Sequence, residues 1–308
     1  MAPSKPLARA ALAITSPRAS RSYRSRNTLW CSQLDLVAPG RYRAASAGCG
    51  SETLTARSAR HTELCGATPD RIEVRGRDLV KELIGKLSFT QMLLFHLLGR
   101  DATPLQVALT DAVLVAIMEH GLVPSVIASR LTLLGAPESL QGAVAAGLLG
   151  VGDHFAGTAS RCAELLDRLV AVPDGERKAL ALTTVQTFRR DRKALPGFGH
   201  PTHKSGDPRV ARLIEIARAH GASGHYIQAL ELLQSAIAEA LGKALPTNVS
   251  AAIAVVLREA DIPTEVMRGI VLTARCAGLV GHLLEEMHAP AAEEMWHASE
   301  EAVPYRSP

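Results

Sequence analysis

Aromatic residues make up only 4% of the 308-residue chain, although 47% of it is hydrophobic. Alanine and leucine carry most of the apolar content, which suits packed helices better than the pleated surfaces favoured by aromatic and β-branched side chains. No stretch alternates apolar and polar residues far enough to make a sheet, and no segment repeats at a fixed period. The five cysteines (Cys31, Cys49, Cys65, Cys162, Cys276) include no C-x-x-C pair. That argues against a zinc centre or a small disulfide scaffold and for reduced thiols. Nor does any apolar run reach the roughly 20 residues of a bilayer span, so a soluble protein with no membrane partner is expected.

Several nucleotide and catalytic signatures are missing too. There is no G-x-x-x-x-G-K-[ST] loop, no G-x-G-x-x-G between strand and helix, no G-x-S-x-G elbow and no H-E-x-x-H pair. His200 and His203 lie three apart, but on a proline-rich loop without an evident third ligand. Neither a metal nor a nucleotide cofactor is expected.

The formal charge of +4 is unevenly spread. Residues 1–66 hold ten Lys/Arg against three acidic residues, whereas the remainder holds 24 against 27. The body therefore has no strong field for nucleic acid. Residues 1–66 read as a basic, Ser/Arg-rich leader, either a disordered arm, an organelle transit peptide, or an upstream stretch from a mis-chosen start. A cytoplasmic location is expected, or an organelle matrix if the leader is a transit peptide.

The pattern predicts an all-α chain of about a dozen helices, a large helical domain with a smaller lobe. Order is expected from an extended entry at 72–78, followed by two short helices over 79–98. Thr103 and Pro104 cap and open the next helix, which ends at Gly121. Helices are then expected at 125–135, 138–150, 159–171, 175–194, 209–220, 224–242, 248–260 and 263–288. The tail beyond residue 296 is expected to be peripheral. Between the helices lie polar loops: Glu119–His120, Asp153–His154 flanked by glycines, and the knot PGFGHPTHKSGDPR from Pro196 to Arg209. Arg268, Arg275 and His282 recur every seven residues and share one helix face. Each feature has a plain reading as well: a helix C-terminal histidine, a tight turn, a polar surface loop, a salt-bridged face. If the loops converge, they form a cationic pocket with imidazoles, suited to a di- or tricarboxylate.

In order along the chain, these loops resemble those of the citrate synthase superfamily. The knot is similar to the G-F-G-H-x-x-x-(K/R)-x-x-D-P-R loop of citrate synthases. EHGLVPS from Glu119 resembles the D-H-G-x-x-x-S segment of citryl-CoA lyases, and GVGDHFAG from Gly150 their G-D-R-F-G-G turn. RCAGLVGH from Arg275 matches an R-x-x-G-x-x-G-H helix. The resemblance spans residues 70–296, within an expected catalytic domain of 67–296.

The resemblance implies a homodimer that handles a small carboxylate and an acyl-CoA, with the CoA thioester as substrate. It implies cleavage of citryl-CoA, or a related 3-hydroxyacyl-CoA, to acetyl-CoA and oxaloacetate or another 2-oxo acid. The alternatives are condensation of acetyl-CoA with oxaloacetate, or a catalytically silent binding homologue. His120, His200, Arg209 and Arg275 take the positions that hold the carboxylates. His200 and His120, with His154 and Asp153, are the candidate acid–base groups. Gly197, Gly199, Lys204 and Asn248 are the candidate CoA-binding positions. One departure stands out: the family's N-V-D, whose aspartate exchanges a proton with the acetyl methyl, reads Asn248-Val249-Ser250 here. A serine hydroxyl cannot replace a carboxylate of tuned pKa.

Overall fold

Thr103 begins the helix that organises the rest. Its hydroxyl accepts from the Gln106 N–H, and the Gln106 side chain returns to the Thr103 N–H. With Pro104 at the first position, the start is fixed by local chemistry. This is helix α2 (Pro104–Met118). The computed structural model describes residues 61–199 and 206–308, apart from the side chains of His154 and Phe155. Most of the expected leader therefore lies outside the described residues. Those that are described belong to one compact unit.

A small antiparallel sheet comes first: β1 (Cys65–Ala67), β2 (Ile72–Val74) and β3 (Arg77–Asp78), in the order β1-β2-β3. Val74 pairs with Cys65 on one side and with Arg77 on the other. The sequence predicts only an extended entry here, because three-residue strands leave no periodicity to detect. A π-helical turn (Leu79–Leu83) and α1 (Phe89–Leu98) follow.

The helical body comprises α3 (Pro124–Gly135), α4 (Leu140–Ala156), α5 (Thr158–Val170), α6 (Asp174–Arg190), α7 (Pro208–Ala219), α8 (His225–Leu241), α9 (Val249–Glu259), α10 (Thr264–His288) and α11 (Ala292–Ala302). These match the expected helices to within a few residues, with two differences. α4 continues past the expected stop at 150, broken at Gly152 by a φ of 55°, so Asp153 and His154 sit in its last turns rather than in an open glycine loop. α11, where no helix is expected, runs from the last residues of the expected catalytic domain into the expected tail.

α9 is the buried axis of the body, with every residue from Ala251 to Leu257 at most 3% exposed. At its C-terminal end Glu259 accepts the N–H groups of Gly224, Tyr226 and Ile227, which binds it to the start of α8. α10 packs on α2, α3, α4 and α5. Contrary to the expectation that no run reaches span length, it has 25 residues and is apolar enough to span a bilayer by length and composition. Here its apolar face, including Met267, Ile270, Leu279 and Leu283, fills the core.

Gly278 sets how closely α10 approaches α2. A Cβ there would lie 2.0 Å from the Met118 carbonyl oxygen, a backbone atom that cannot swing away. Gly278→Ala is expected to lower the unfolding free energy by about 1–3 kcal/mol through overpacking. At Gly281 a Cβ meets nothing within 4 Å, so Gly281→Ala is expected to raise it by about 0.5–1 kcal/mol through helix propensity. Urea denaturation of both variants reads the difference, and equal stabilities would contradict the close approach.

Candidate functional site

The last carbonyls of α2 have no partner within the helix and mark the negative end of its dipole. Two arginines reach them. Arg275, on α10, donates from Nη1 to the carbonyls of Ile117 and Met118, both at 3.2 Å. Arg209, in the first turn of α7, donates from Nη1 to the carbonyl of Ala116 at 3.4 Å. His120 follows directly in the chain. The structure thus brings Arg209, Arg275, Glu119 and His120 to one helix end.

Arg209 is gripped from behind, and Arg275 is enclosed by burial. Asp207, with its side chain fully buried, accepts the Arg209 N–H as N-cap of α7 and grips the same residue's guanidinium at 2.9 and 2.7 Å. Arg275 is 8% exposed. Burial pushes its guanidinium below the usual value; Glu119 opposes this and the neighbouring Arg209 adds to it. Two cations this close favour an anion between them.

Glu119 closes the end of α2. Its Oε1 accepts the backbone N–H groups of His120 at 2.7 Å and Gly121 at 2.6 Å, and the His282 Nε2–H at 2.8 Å. Burial works to raise its pKa, but the bonds from His282, Gly121 and His120 outweigh that and hold the carboxyl below the usual range. Behind it lies Arg130, 2% exposed, which donates to Glu286 at 2.8 Å, to His282 Nδ1 at 2.8 Å and to Glu285.

Three of the four candidate CoA-binding residues, Gly197, Gly199 and Asn248, form a second cluster. Gly197 has a φ of 87°, and a Cβ there would fall 2.8 Å from Cys162 Sγ and 2.9 Å from the Ala251 Cβ, so only glycine fits. Its carbonyl accepts the Asn248 N–H at 3.0 Å, and the Gly199 N–H donates to Pro246 at 2.8 Å. The Asn248 side chain is used at both ends: Oδ1 caps α9 at the Ser250 N–H, and Nδ2 donates to the Gly199 carbonyl. Asn248 thus aligns two chain segments, while Ser250 occupies the first turn of α9. His200 and Lys204 lie outside the described residues.

Asp153 stands apart from the α2 end. Arg161 and Arg268 hold its two oxygens, and Arg268 is two helical turns before Arg275, roughly 10 Å along α10. His154 belongs to the same end of α4. Nearby, an open groove of about 290 Å³ between α5, α6 and the start of the knot is lined by Arg161, Arg168, Lys193, Glu164, Phe188 and Pro196. Its three cations and one acid suit a phosphorylated ligand. Among the described residues no group of three His, Cys, Asp or Glu side chains could hold a metal.

The sequence marks Arg209, Arg275 and His120 as candidates but not the groups behind them: Asp207 as the Arg209 clamp, and Arg130 with His282 as the support of Glu119. The available signal was an arginine inside the apolar run from Ile127 to Leu134 of α3, which needs a buried partner.

Residues 33–295 match the family model described as Citrate synthase, C-terminal domain. Among solved structures, citryl-CoA lyase from Hydrogenobacter thermophilus superposes with a TM-score of 0.71 at 28% identity, over 82% of this chain and 96% of that one. ATP citrate lyase of Methanosaeta concilii, in complex with (3S)-citryl-CoA, shares the fold at a TM-score of 0.64 and 20% identity, over 82% of this chain and 42% of that one. Citrate synthase of Synechocystis is 25% identical over 208 residues, 66% of this chain and 50% of its own. The chain spans about half the length of the curated relatives it matches.

The buried Arg130–Glu286 pair yields a stability test. Burial raises the Glu286 pKa, but bonds from Ala292, Arg130 and Ala291 reverse this and hold it below the ordinary 4.5. A depressed carboxyl contributes stability that is complete above 4.5 and lost as pH falls through its folded value. Glu286→Gln is therefore expected to cost about 3–5 kcal/mol at pH 7, with the gap from wild type narrowing in acid below 4.5. Unfolding curves from pH 7 to pH 3 measure it; a gap independent of pH would contradict the assignment.

Proposed function

The chain belongs to the citrate synthase family, and on that premise we propose that it is a carbon–carbon lyase. It cleaves citryl-CoA, or a related 3-hydroxyacyl-CoA, to acetyl-CoA and oxaloacetate or another 2-oxo acid. The observation that carries the reading is the meeting of Arg209 and Arg275 on the end of α2, beside His120. Two guanidiniums, Arg209 gripped by Asp207 and Arg275 buried against the α2 carbonyls, can pin carboxylates bidentately and orient the bond to be broken. Similarity to a solved citryl-CoA lyase over 96% of its length supports cleavage. The cations of the Arg161–Arg168–Lys193 groove are offered as the anchor for CoA phosphates.

In this reading His120, Arg209 and Arg275 hold the carboxylates. His200 takes the proton from the hydroxyl oxygen as the carbonyl of the 2-oxo acid forms. The electron pair of the breaking carbon–carbon bond passes to the acetyl carbon as an enolate, which is then protonated to the methyl group. The family's acid for that last step is Ser250 here. Glu119 does not fill the gap, because its carboxylate is tied down and held ionised. Asp153 is taken by Arg161 and Arg268. Among the described side chains this leaves water as the proton donor, with His154, whose side chain lies outside the described residues, as the other candidate; we take water, which makes enolate protonation the slow step.

Condensation is the second reading, drawn from the curated relatives named as citrate synthases. Release of free CoA from acetyl-CoA plus oxaloacetate would mark it. Purified protein incubated with (3S)-citryl-CoA is expected to form acetyl-CoA and oxaloacetate. Arg275→Ala and Arg209→Ala are each expected to lower kcat/KM by about 10- to 100-fold. No turnover in either direction, with ligand binding retained, would make the protein a silent binder. Ser250→Asp restores an acid at the vacant position and is expected to raise kcat by at least about tenfold, against the 10²–10⁴ typical of positioned acids. A rate unchanged or lowered in that variant would show that protonation is not limiting.

A further inference from the structure

We infer that His282 is a positioning residue that couples the buried Arg130–Glu286 ion pair to Glu119 and so sets the backbone presenting His120 at the end of α2. The role of His120 as a carboxylate ligand rests on the reading above; the coupling itself does not.

A guanidinium has only N–H donors. Arg130 Nη2 lies 2.8 Å from His282 Nδ1, so Nδ1 is the acceptor and carries no proton. The ring hydrogen is then on Nε2, which lies 2.8 Å from Glu119 Oε1. The tautomer is thus fixed by a charge on one side and used by a carboxylate on the other. Glu119 Oε1 in turn receives the N–H groups of His120 and Gly121.

The far end of this relay is equally anchored. Arg130 donates to Glu286 Oε2, and Glu286 Oε1 accepts the N–H groups of Ala291 and Ala292 at the start of α11. One hydrogen-bonded line therefore runs from α11 through α10 and α3, back to α10 and on to the loop after α2. Arg130 and Glu286 have side chains only 3% and 5% exposed, and His282 12%, whereas Glu119 is 54% exposed. The rigid end is buried and the working end faces solvent. His282 is the only link along this line between the buried pair and Glu119 that the described residues show.

The test separates the two ring nitrogens. Glutamine at 282 can place an N–H near the Nε2 position and keep the Glu119 bond, whereas asparagine is too short to reach it. His282→Asn is expected to remove the exchange protection of the His120 and Gly121 amides and to weaken oxaloacetate binding about tenfold, the low end of what loss of an outer-shell partner costs at a metal ligand. His282→Gln is expected to preserve both within about twofold. Ring nitrogen chemical shifts of the wild type should show Nδ1 bare and Nε2 protonated. Amide protection unchanged in His282→Asn, or a ring protonated at Nδ1, would overturn the coupling whether or not any ligand binds. If the amides respond as expected but the wild type binds neither oxaloacetate nor (3S)-citryl-CoA, the coupling stands and the functional reading fails.

Discussion

The unpaired carbonyls at the C-terminal end of α2 are the constraint on which the site depends. A helix end presents partial negative charge that must be met. In this chain two arginines from distant elements meet it, Arg275 from α10 and Arg209 from α7. Their mutual repulsion is tolerated because the carbonyls, Asp207 and Glu119 surround them with negative charge. The same arrangement leaves two cationic heads side by side, and a small dicarboxylate would complete it.

Packing makes that convergence possible. Gly278 lets α10 lie against the Met118 carbonyl, so Arg275, three residues earlier, reaches the helix end with part of its guanidinium uncommitted among the described residues. Asp207 does the equivalent for Arg209 by capping α7 and gripping the side chain at once. The second cluster follows similar logic. Gly197 fits between Cys162 and Ala251 only because it lacks a side chain, and burial pushes the Cys162 thiol up to about 12, so it serves as packing rather than as a nucleophile.

Much of the fold was legible because its helix starts are written locally. Thr103 with Pro104 and Asp207 with Pro208 announce themselves through capping chemistry. The small sheet was not, since its strands are two or three residues long and one is wholly exposed. α11 was missed for a related reason: Ala292 is its one buried residue, and its start is secured by Glu286 from another helix. The glycine-rich stretch around Gly152 signals the end of a helix, whereas α4 only breaks there and continues. At the site, Arg209 and Arg275 could be picked out from motif resemblance. What they touch could not, because the partners Ala116, Ile117 and Met118 contribute only backbone, and backbone roles leave no trace in residue identity. The Arg130–His282–Glu119 line is hidden for a different reason: it joins side chains over 150 positions apart.

The claim at the centre of this account is that the end of α2 is a carboxylate site. A crystal structure of the protein with oxaloacetate tests it directly. The two carboxylates are expected on Arg209 and Arg275, with His120 within hydrogen-bond reach. Oxaloacetate seated instead in the Arg161–Arg168–Lys193 groove, with the α2 end unchanged, would contradict it.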